Sequence, residues 1–418
     1  MQEEKPIWKD QLKAYDFPSL GDKTEADVTI VGAGLAGIFT AYLLSRLPEQ
    51  KKITLVEAGE ILAEGATAYT TAFITQIIDT ATADLLEVYG KNVTRKVLDS
   101  GRDAIDLIEK IVKEEKIECG FMRCPVYIYA AKPEQVKDLQ AEKDAYDQLG
   151  VPAVLTEVND QEFKNYGYLK IDGQAKFDPI EFAQALLELA VKNGVQVYAN
   201  SEVKEIAGEG PYLVKTEKGL IESGKVVVAT YQPFNNPKEV LLKKGMYLSY
   251  VFEASLDEKS QLEQALYWDL GNPYHYFRVD RNDGQTSVII GGEDHKAWFK
   301  IDPDKSFRAL EEYLGRTLGN NYKINRRWHG PILEPSDGLA LIGQIRPDYY
   351  LASAFSGNGM TYSAISAMIF KDLVLGQENI YAGTYDPKRF NPKRWTKKAE
   401  DYFGELFGGV GKNIFSPK

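Results

Sequence analysis

The chain has 418 residues, 61 acidic against 50 basic, and a net charge of −11. At roughly 100–200 residues per domain that length suggests two or three domains, and the acidic balance argues against nucleic acid, whose phosphates require clustered Lys and Arg. No apolar run reaches the roughly 18–20 residues that span a bilayer, and the opening MQEEKPIWKD is too polar for a signal peptide, so neither export nor integral membrane association is expected.

Cys119 and Cys124 build no disulfide framework, and the reducing cytoplasm is the expected location. Three His and two Cys supply no usual zinc or iron–sulfur ligand spacing, so no metal is expected. The two thiols read as buried, with a redox pair as the alternative.

The aromatic-rich KPIWKDQLKAYDFPSL is expected to pack on the surface of a first domain. Residues 28–31 read as a strand, 35–47 as a helix and Ile53–Val56 as a second strand. Between the first two lies G-x-G-x-x-G: Gly32 for the tight turn, Gly34 for close approach to a pyrophosphate, Gly37 for close packing of helix on strand. Phosphates would sit on the helix start at Leu35 and Ala36, where orphan N–H groups and the macrodipole favour an anion. Glu57, followed by Ala58, lies 20 residues past Gly37 and is placed to accept ribose hydroxyls. An acid there suits an adenine dinucleotide other than NADP and leaves NAD and FAD open.

GATAYTTAFIT, residues 65–75, is small and hydroxyl-rich and reads as a loop beside a flat cofactor, with Thr67, Thr70 and Thr71 as donors. Residues 84–116 and 133–149 have helical spacing, with the strand VYIYA between them. Asp178 caps a helix that opens on Pro179 and stops at Gly194. Residues 202–206, 212–216 and 220–222 suggest a small antiparallel sheet, and the fully apolar 226–230 a buried parallel strand. Residues 246–254, 274–280 and 286–292, with the turn RNDGQ, suggest a second domain on an antiparallel sheet, and 307–318 reads as a helix. PSDGLALIG and YYLASA then lead to FSGNGMT, a second glycine turn opening a helix over 359–375. No repeat appears, so the two domains interleave.

That second helix start favours a flavin over a nicotinamide. A reduced flavin carries negative charge at N1 and the C2 carbonyl, which orphan N–H groups stabilise. Gly357 and Gly359 let the backbone reach the ring, and Asn358, Met360 and Thr361 offer N–H groups or contacts.

These motifs, from about Pro6 to Phe390, resemble the FAD-dependent oxidoreductases of the D-amino acid oxidase and glycine oxidase superfamily. Within it the chain looks most like the FAD domain of bacterial flavoproteins that carry a Rieske domain; WKDQLKAYDFPSL, GATAYTTAFIT, GQAKFDP, VVVATYQPF, VIIGGEDHK and FSGNGMT with GQENIYAGTYDPKRF carry the likeness together. The resemblance implies FAD, with Gly32, Gly34, Gly37 and Glu57 on its ADP half and Thr70 and Thr71 near the pyrophosphate or flavin. It further implies Val203 at the adenine through its backbone, Ala229 and Thr230 on the ribityl side, and Gly343, Gly357, Asn358, Gly359 and Met360 at the isoalloxazine edge.

The chain departs from that family in two places. Its amino acid oxidases carry a carboxylate-gripping arginine that aligns near Ile332 here, leaving Arg278 and Arg327 as possible replacements. The C-x-H and C-x-x-H pair of a Rieske domain is missing from the sequence.

The expected architecture is α/β: a Rossmann-type FAD-binding domain (1–80, 150–235, 325–385) interleaved with an antiparallel-sheet α+β substrate domain (81–149, 236–324), then an extension (386–418). The expected activity is hydride transfer from the C–N bond of a small amine or amino-acid-like substrate, with electrons leaving to oxygen or a separate carrier. A dehydrogenase passing electrons to a protein or quinone, and a non-catalytic flavin-binding protein, are the alternatives. On the substrate side Tyr276, Arg278, Tyr250 and His329 are the candidate catalytic residues, with His275 on the same wall; His295 reads as structural. The basic and aromatic tail suggests a helix on the protein's own surface, or a contact with a partner or membrane.

Overall fold

The computed structural model describes residues 4–63, 65–157, 161–232, 244–257, 260–282, 284–297, 299 and 301–389. Strand β1 (Lys23–Val31), helix α1 (Leu35–Ser45) and strand β2 (Ile53–Val56) form the expected unit, with β1 and β2 parallel. β1 also pairs in parallel with Leu220–Val228, one continuous strand where the sequence suggested two. Its first residues pair antiparallel with Tyr212–Thr216 and its last with Tyr349–Ser353 in parallel, so one strand anchors both a meander and the central sheet. The eight-stranded sheet runs Leu341–Arg346, Tyr349–Ser353, Leu220–Val228, β1, β2, Gln196–Tyr198, with Val203–Ala207 and Tyr212–Thr216 appended.

α1 is apolar almost all round because it is covered on several sides: it packs on the sheet and on helices Pro179–Lys192 and Gly359–Val374. The Asp178 cap is as expected, its carboxylate accepting from the N–H groups of Ile180 (2.8 Å) and Glu181 (3.0 Å). Glycine at position 37 is a steric necessity. A Cβ there would lie 1.9 Å from the Gly32 carbonyl oxygen, and one on Gly32, at φ +103°, would lie 2.8 Å from the Ala229 carbonyl oxygen.

The second sheet has nine strands in the order Tyr322–Pro335, Lys244–Leu256, Gln285–Lys296, His275–Asn282, Leu266–Asp269, Met122–Tyr129, Tyr168–Lys176, Phe73–Ile74, with Val154–Thr156 beside Tyr168–Lys176. It is antiparallel except where Leu266–Asp269 runs parallel to Met122–Tyr129. Its strands therefore include segments 73–74, 154–156, 168–176 and 325–335, which the sequence reading put in the nucleotide domain. Helix Pro303–Leu318 covers one face through Phe307, Leu310 and Leu314. It begins earlier than the expected 307 because Asp302 caps it, accepting from the Asp304 N–H, and Pro303 suits the first helical position. Helix Thr82–Glu115 breaks once, at Gly90 (φ +73°).

Cys119 and Cys124 are free and buried, and burial pushes both thiols up to about 12. The tail falls outside the described residues after its first four. Of those, Arg389 forks onto the Asp337 carboxylate with two contacts of 2.7 Å, tying the chain's last described residue to the PSDGLALIG turn.

Substituting Gly37→Ala forces backbone apart at the glycine turn, an overpacking that costs at least about 1–3 kcal/mol. We expect a lower melting temperature together with loss of copurifying FAD; a variant with full flavin content would contradict the packing described here.

Candidate active site

Both glycine turns open onto one cavity of about 690 Å³. The first turn contributes Gly32, Gly34, Leu35 and Ala36 with Glu57 and Ala58, the second Gly357, Asn358, Gly359 and Met360, and Thr70, Thr71, Ala229 and Thr230 line it as well, the last two against Gly32. Glu57 accepts a 2.6 Å hydrogen bond from the Ala33 N–H, which fixes the carboxylate across the turn, and a second from the Ala58 N–H at 2.8 Å. Thr67 Oγ1 accepts from the Leu35 N–H (3.1 Å) at the start of α1.

Four expected contacts lie off the cavity lining. Gly37 is beneath the turn, against Gly32. Val203 begins its strand two residues beyond Ser201, whose N–H donates to the Glu57 carbonyl (2.8 Å). A Cβ on Gly343 would meet Pro387 Cδ at 3.0 Å, so this glycine faces the end of the described chain. The Thr361 hydroxyl bridges the Thr75 backbone, accepting from its N–H (3.0 Å) and donating to its carbonyl (3.1 Å).

The hydroxyl-rich loop is pinned from three sides, none of them visible in its own sequence. Trp8 Nε1 donates to the Thr70 carbonyl (2.6 Å), Trp328 Nε1 to the Tyr69 carbonyl (3.1 Å), and Arg278 Nη1 to the carbonyls of Thr71 (3.2 Å) and Ala72 (3.3 Å). Arg278 also donates to the Phe177 carbonyl (3.0 Å), forks onto Asp280 with two contacts of 2.8 Å, and lies under the Trp8 ring. It is 5% exposed and every donor group is spoken for, so it braces the loop and leaves no fork for a substrate carboxylate. Burial pushes the Asp280 carboxyl up, but Arg278 and Lys176 outweigh that and hold it below its usual range. Arg327 is engaged too, with Glu4 and with Asp304 (2.8 Å).

Strand alternation separates the remaining candidates. Ser249 and Val251 line the cavity, so Tyr250 between them faces helix Pro303–Leu318, its hydroxyl 2.9 Å from His295 Nε2. Likewise Tyr274 and Tyr276 line the cavity while His275 turns away, between Asp269 and Glu293 and stacked on Tyr313 at 3.7 Å. Burial lowers His275, but its two carboxylate neighbours outweigh burial and its pKa is raised. His329 is exposed, and its neighbours Gly330 and Ile332 line the cavity instead. Of the four catalytic candidates only Tyr276 borders the cavity; its ring lies over Gly291, where a Cβ would come within 2.4 Å of Cζ, and its hydroxyl meets Ser249 Oγ at 3.1 Å.

Asp79, Trp268, Tyr274 and Ser249 line this region as well and were not singled out in the sequence. Tyr274 had an available signal, sharing a strand face with Tyr276 two residues away. Asp79 projects into the void yet is walled by protein; burial pushes it up to about 7, with Glu334 adding to the rise and the Gly357 N–H (2.7 Å) opposing it.

A cavity lined by both a nucleotide turn and a second helix start fits a dinucleotide cofactor. Residues 27–373 match the family model for FAD dependent oxidoreductases. The chain belongs to that family. The flavoenzyme is 28% identical over 403 residues, 96% of this chain and 78% of the other, to the Rieske 2Fe-2S iron-sulfur protein YhfW of Bacillus subtilis. It is 22% identical to gamma-glutamylputrescine oxidoreductase of Escherichia coli, covering 87% of each. The fold matches glycine oxidase from Geobacillus kaustophilus (TM-score 0.73, 18% identity, 88% of this chain and 99% of that one) and L-proline dehydrogenase from P. horikoshii (TM-score 0.72, 20% identity, 89% and 98%). The family fixes FAD as the cofactor and oxidoreductase as the class of enzyme. Among the described residues no helix is long and apolar enough to cross a membrane.

Replacing Arg278 by Met strips Asp280 of its fork and frees the loop carbonyls, a loss of about 3–5 kcal/mol for a broken buried pair. Chemical denaturation of the FAD-loaded variant measures this; an unchanged midpoint would mean the arginine is not the brace.

Proposed function

We propose that this flavoenzyme oxidises the C–N bond of a small amine or amino-acid-like molecule, with electrons passing to oxygen or to a separate carrier. The observation that carries the reading is that one cavity joins both glycine turns to the aromatic wall of the nine-stranded sheet, leaving substrate space beside a cofactor laid between the turns. FAD, when bound, supplies the acceptor for the hydride leaving the carbon next to nitrogen.

The chain's own part is binding, orientation and exclusion of water. Glu57 is offered to the ribose, the start of α1 to the phosphates, and the start of helix Gly359–Val374 to the electron-rich edge of the ring. Tyr276 and Ser249, hydrogen-bonded to each other, stand on the substrate side. Phe73 and Trp268 close the wall around them and keep bulk water out. Hydride transfer starts from the neutral amine, so a substrate that arrives as an ammonium first gives up its proton.

The Escherichia coli relative, named for gamma-glutamylputrescine, supports an amine substrate. The iron–sulfur description of the Bacillus subtilis relative supports a second reading, in which a protein carrier takes the electrons. The cytoplasm is the location we assign, from the sequence arguments.

Anaerobic mixing of the FAD-loaded enzyme with a panel of amines and amino acids tests the proposal. Bleaching of the flavin band by at least one of them is expected, and reoxidation by oxygen, a quinone or a ferredoxin-like protein then identifies the acceptor. A flavin that no member of the panel reduces would sink the proposal.

A further inference from the structure

Among the described residues lining the cavity there is no Lys, Arg or His, and the charged side chains are all carboxylates: Glu57, Asp79, Glu142 and Asp269. Three of these have structural work. Glu57 belongs to the nucleotide turn; Glu142 accepts from the N–H groups of Thr82 (3.1 Å) and Ala83 (2.8 Å); Asp269 accepts from the Gly271 and His275 N–H groups and the Tyr313 hydroxyl. Asp79 differs. It lines the cavity, and among the described residues its carboxylate accepts only from the Gly357 N–H, through Oδ2.

A second carboxylate stands close by through a distortion of the sheet. Leu248 pairs with His295 and Tyr250 with Gly292, so Ser249 faces both Glu293 and Asp294, a β-bulge with Glu293 at φ +57°. The bulge sends Glu293 to His275 (3.0 Å) and brings Asp294 behind Ser249, close enough to act electrostatically on Asp79. Ser249 hydrogen-bonds the Asp294 carboxylate, whose Oδ1 is buried without a partner, so the group adds negative potential to this wall whenever it is ionised. Four rings complete the surroundings: Phe73 edge-on to Tyr276 at 5.8 Å, Tyr276 stacked with Tyr274 at 5.5 Å, and Phe73 stacked with Trp268 at 6.5 Å. Aromatic faces beside carboxylates attract ammonium groups and offer nothing to an anion.

We propose that the substrate compartment selects a cation, an ammonium of a primary or N-alkylated amine without a neighbouring carboxylate, held by Asp79 among Phe73, Trp268, Tyr274 and Tyr276, with Asp294 adding negative charge from behind Ser249. The inference rests on the reading that this cavity holds FAD with substrate beside it. It follows from the charge of the lining: no cation borders the cavity among the described residues, and Arg278 and Arg327 are engaged elsewhere. An α-amino acid would bring its carboxylate against like charge with no partner to receive it.

Tetramethylammonium, whose charge does not titrate, is the probe, with propionate as the anionic counterpart at constant ionic strength and the visible spectrum of the bound flavin as readout. The groups acting on the two carboxylates are Glu334, Tyr274, Tyr276 and Tyr362 around Asp79, and Glu334, Tyr274, Tyr276 and His275 around Asp294. Burial pushes both carboxyls up to about 7, so they gain negative charge as pH rises through that value and tetramethylammonium should bind more tightly above it than below. Asp79→Asn should weaken binding by about tenfold, the size of one lost charge-assisted contact, and Asp294→Asn by less because its charge acts from behind Ser249; each should flatten the pH profile. Asp294→Asn is the more informative of the two, because Asp79 also holds the Gly357 turn. Propionate binding more tightly than tetramethylammonium, or both Asn variants keeping the native affinity and pH profile, would overturn the inference. If tetramethylammonium binds with this profile but no amine reduces the flavin, the C–N oxidation reading falls and cation selection stands. Amine reduction without tetramethylammonium binding gives the reverse.

Discussion

The contact on which the rest depends is backbone against backbone: α1 lies so near the Gly32 carbonyl that a single methyl group at Gly37 has no place. That closeness lets α1 settle between the parallel sheet and helix Gly359–Val374, which begins more than 300 residues further along the chain. The consequence is geometric. Two helix starts, each with free N–H groups and the positive end of a dipole, open onto the same space, which suits a cofactor with negative charge at two separated places.

The other wall is set by strand pairing and by contacts from outside the sheet. Alternation puts Ser249, Val251, Tyr274 and Tyr276 toward the cofactor space and sends Tyr250, His275 and Phe277 to the helix behind. One bulge departs from that alternation and delivers a carboxylate where regular pairing would not. The loop between the two walls is irregular, and its carbonyls are held by two indoles and a guanidinium reaching in from distant parts of the chain. A charge that sequence reasoning offers to the substrate is thereby committed to architecture.

What could be read in the sequence was what has a local cause. The strand–turn–helix–strand unit and the Asp178 cap each declare themselves within a few residues and fold as expected, while the apolar central strand begins earlier and ends sooner than its own residues suggest. Strand Tyr168–Lys176 was only an edge in the sequence, and Leu266–Asp269 was not seen at all, because their pairing partners are distant and their own patterns are short. Side-chain direction was harder still. Arg278 shares a strand face with Tyr274 and Tyr276, and only the packing of Trp8 and the Phe177 carbonyl against it reveals that it is enclosed. Asp79 and Asp294 carry no motif; a turn 278 residues away holds the first, and a local register shift sets the second within electrostatic range of it.

The nine-stranded sheet draws its strands from residues 73–74, 122–129, 154–156, 168–176 and 244–335, threaded between the segments that build the parallel sheet. No single cut releases the substrate wall as a module. Recombination between relatives at one crossover would hand a chimera half of each specificity surface. New substrate preferences in this lineage should therefore arise by point changes on the wall, with the Gly291 floor beneath Tyr276 among the positions least free to vary.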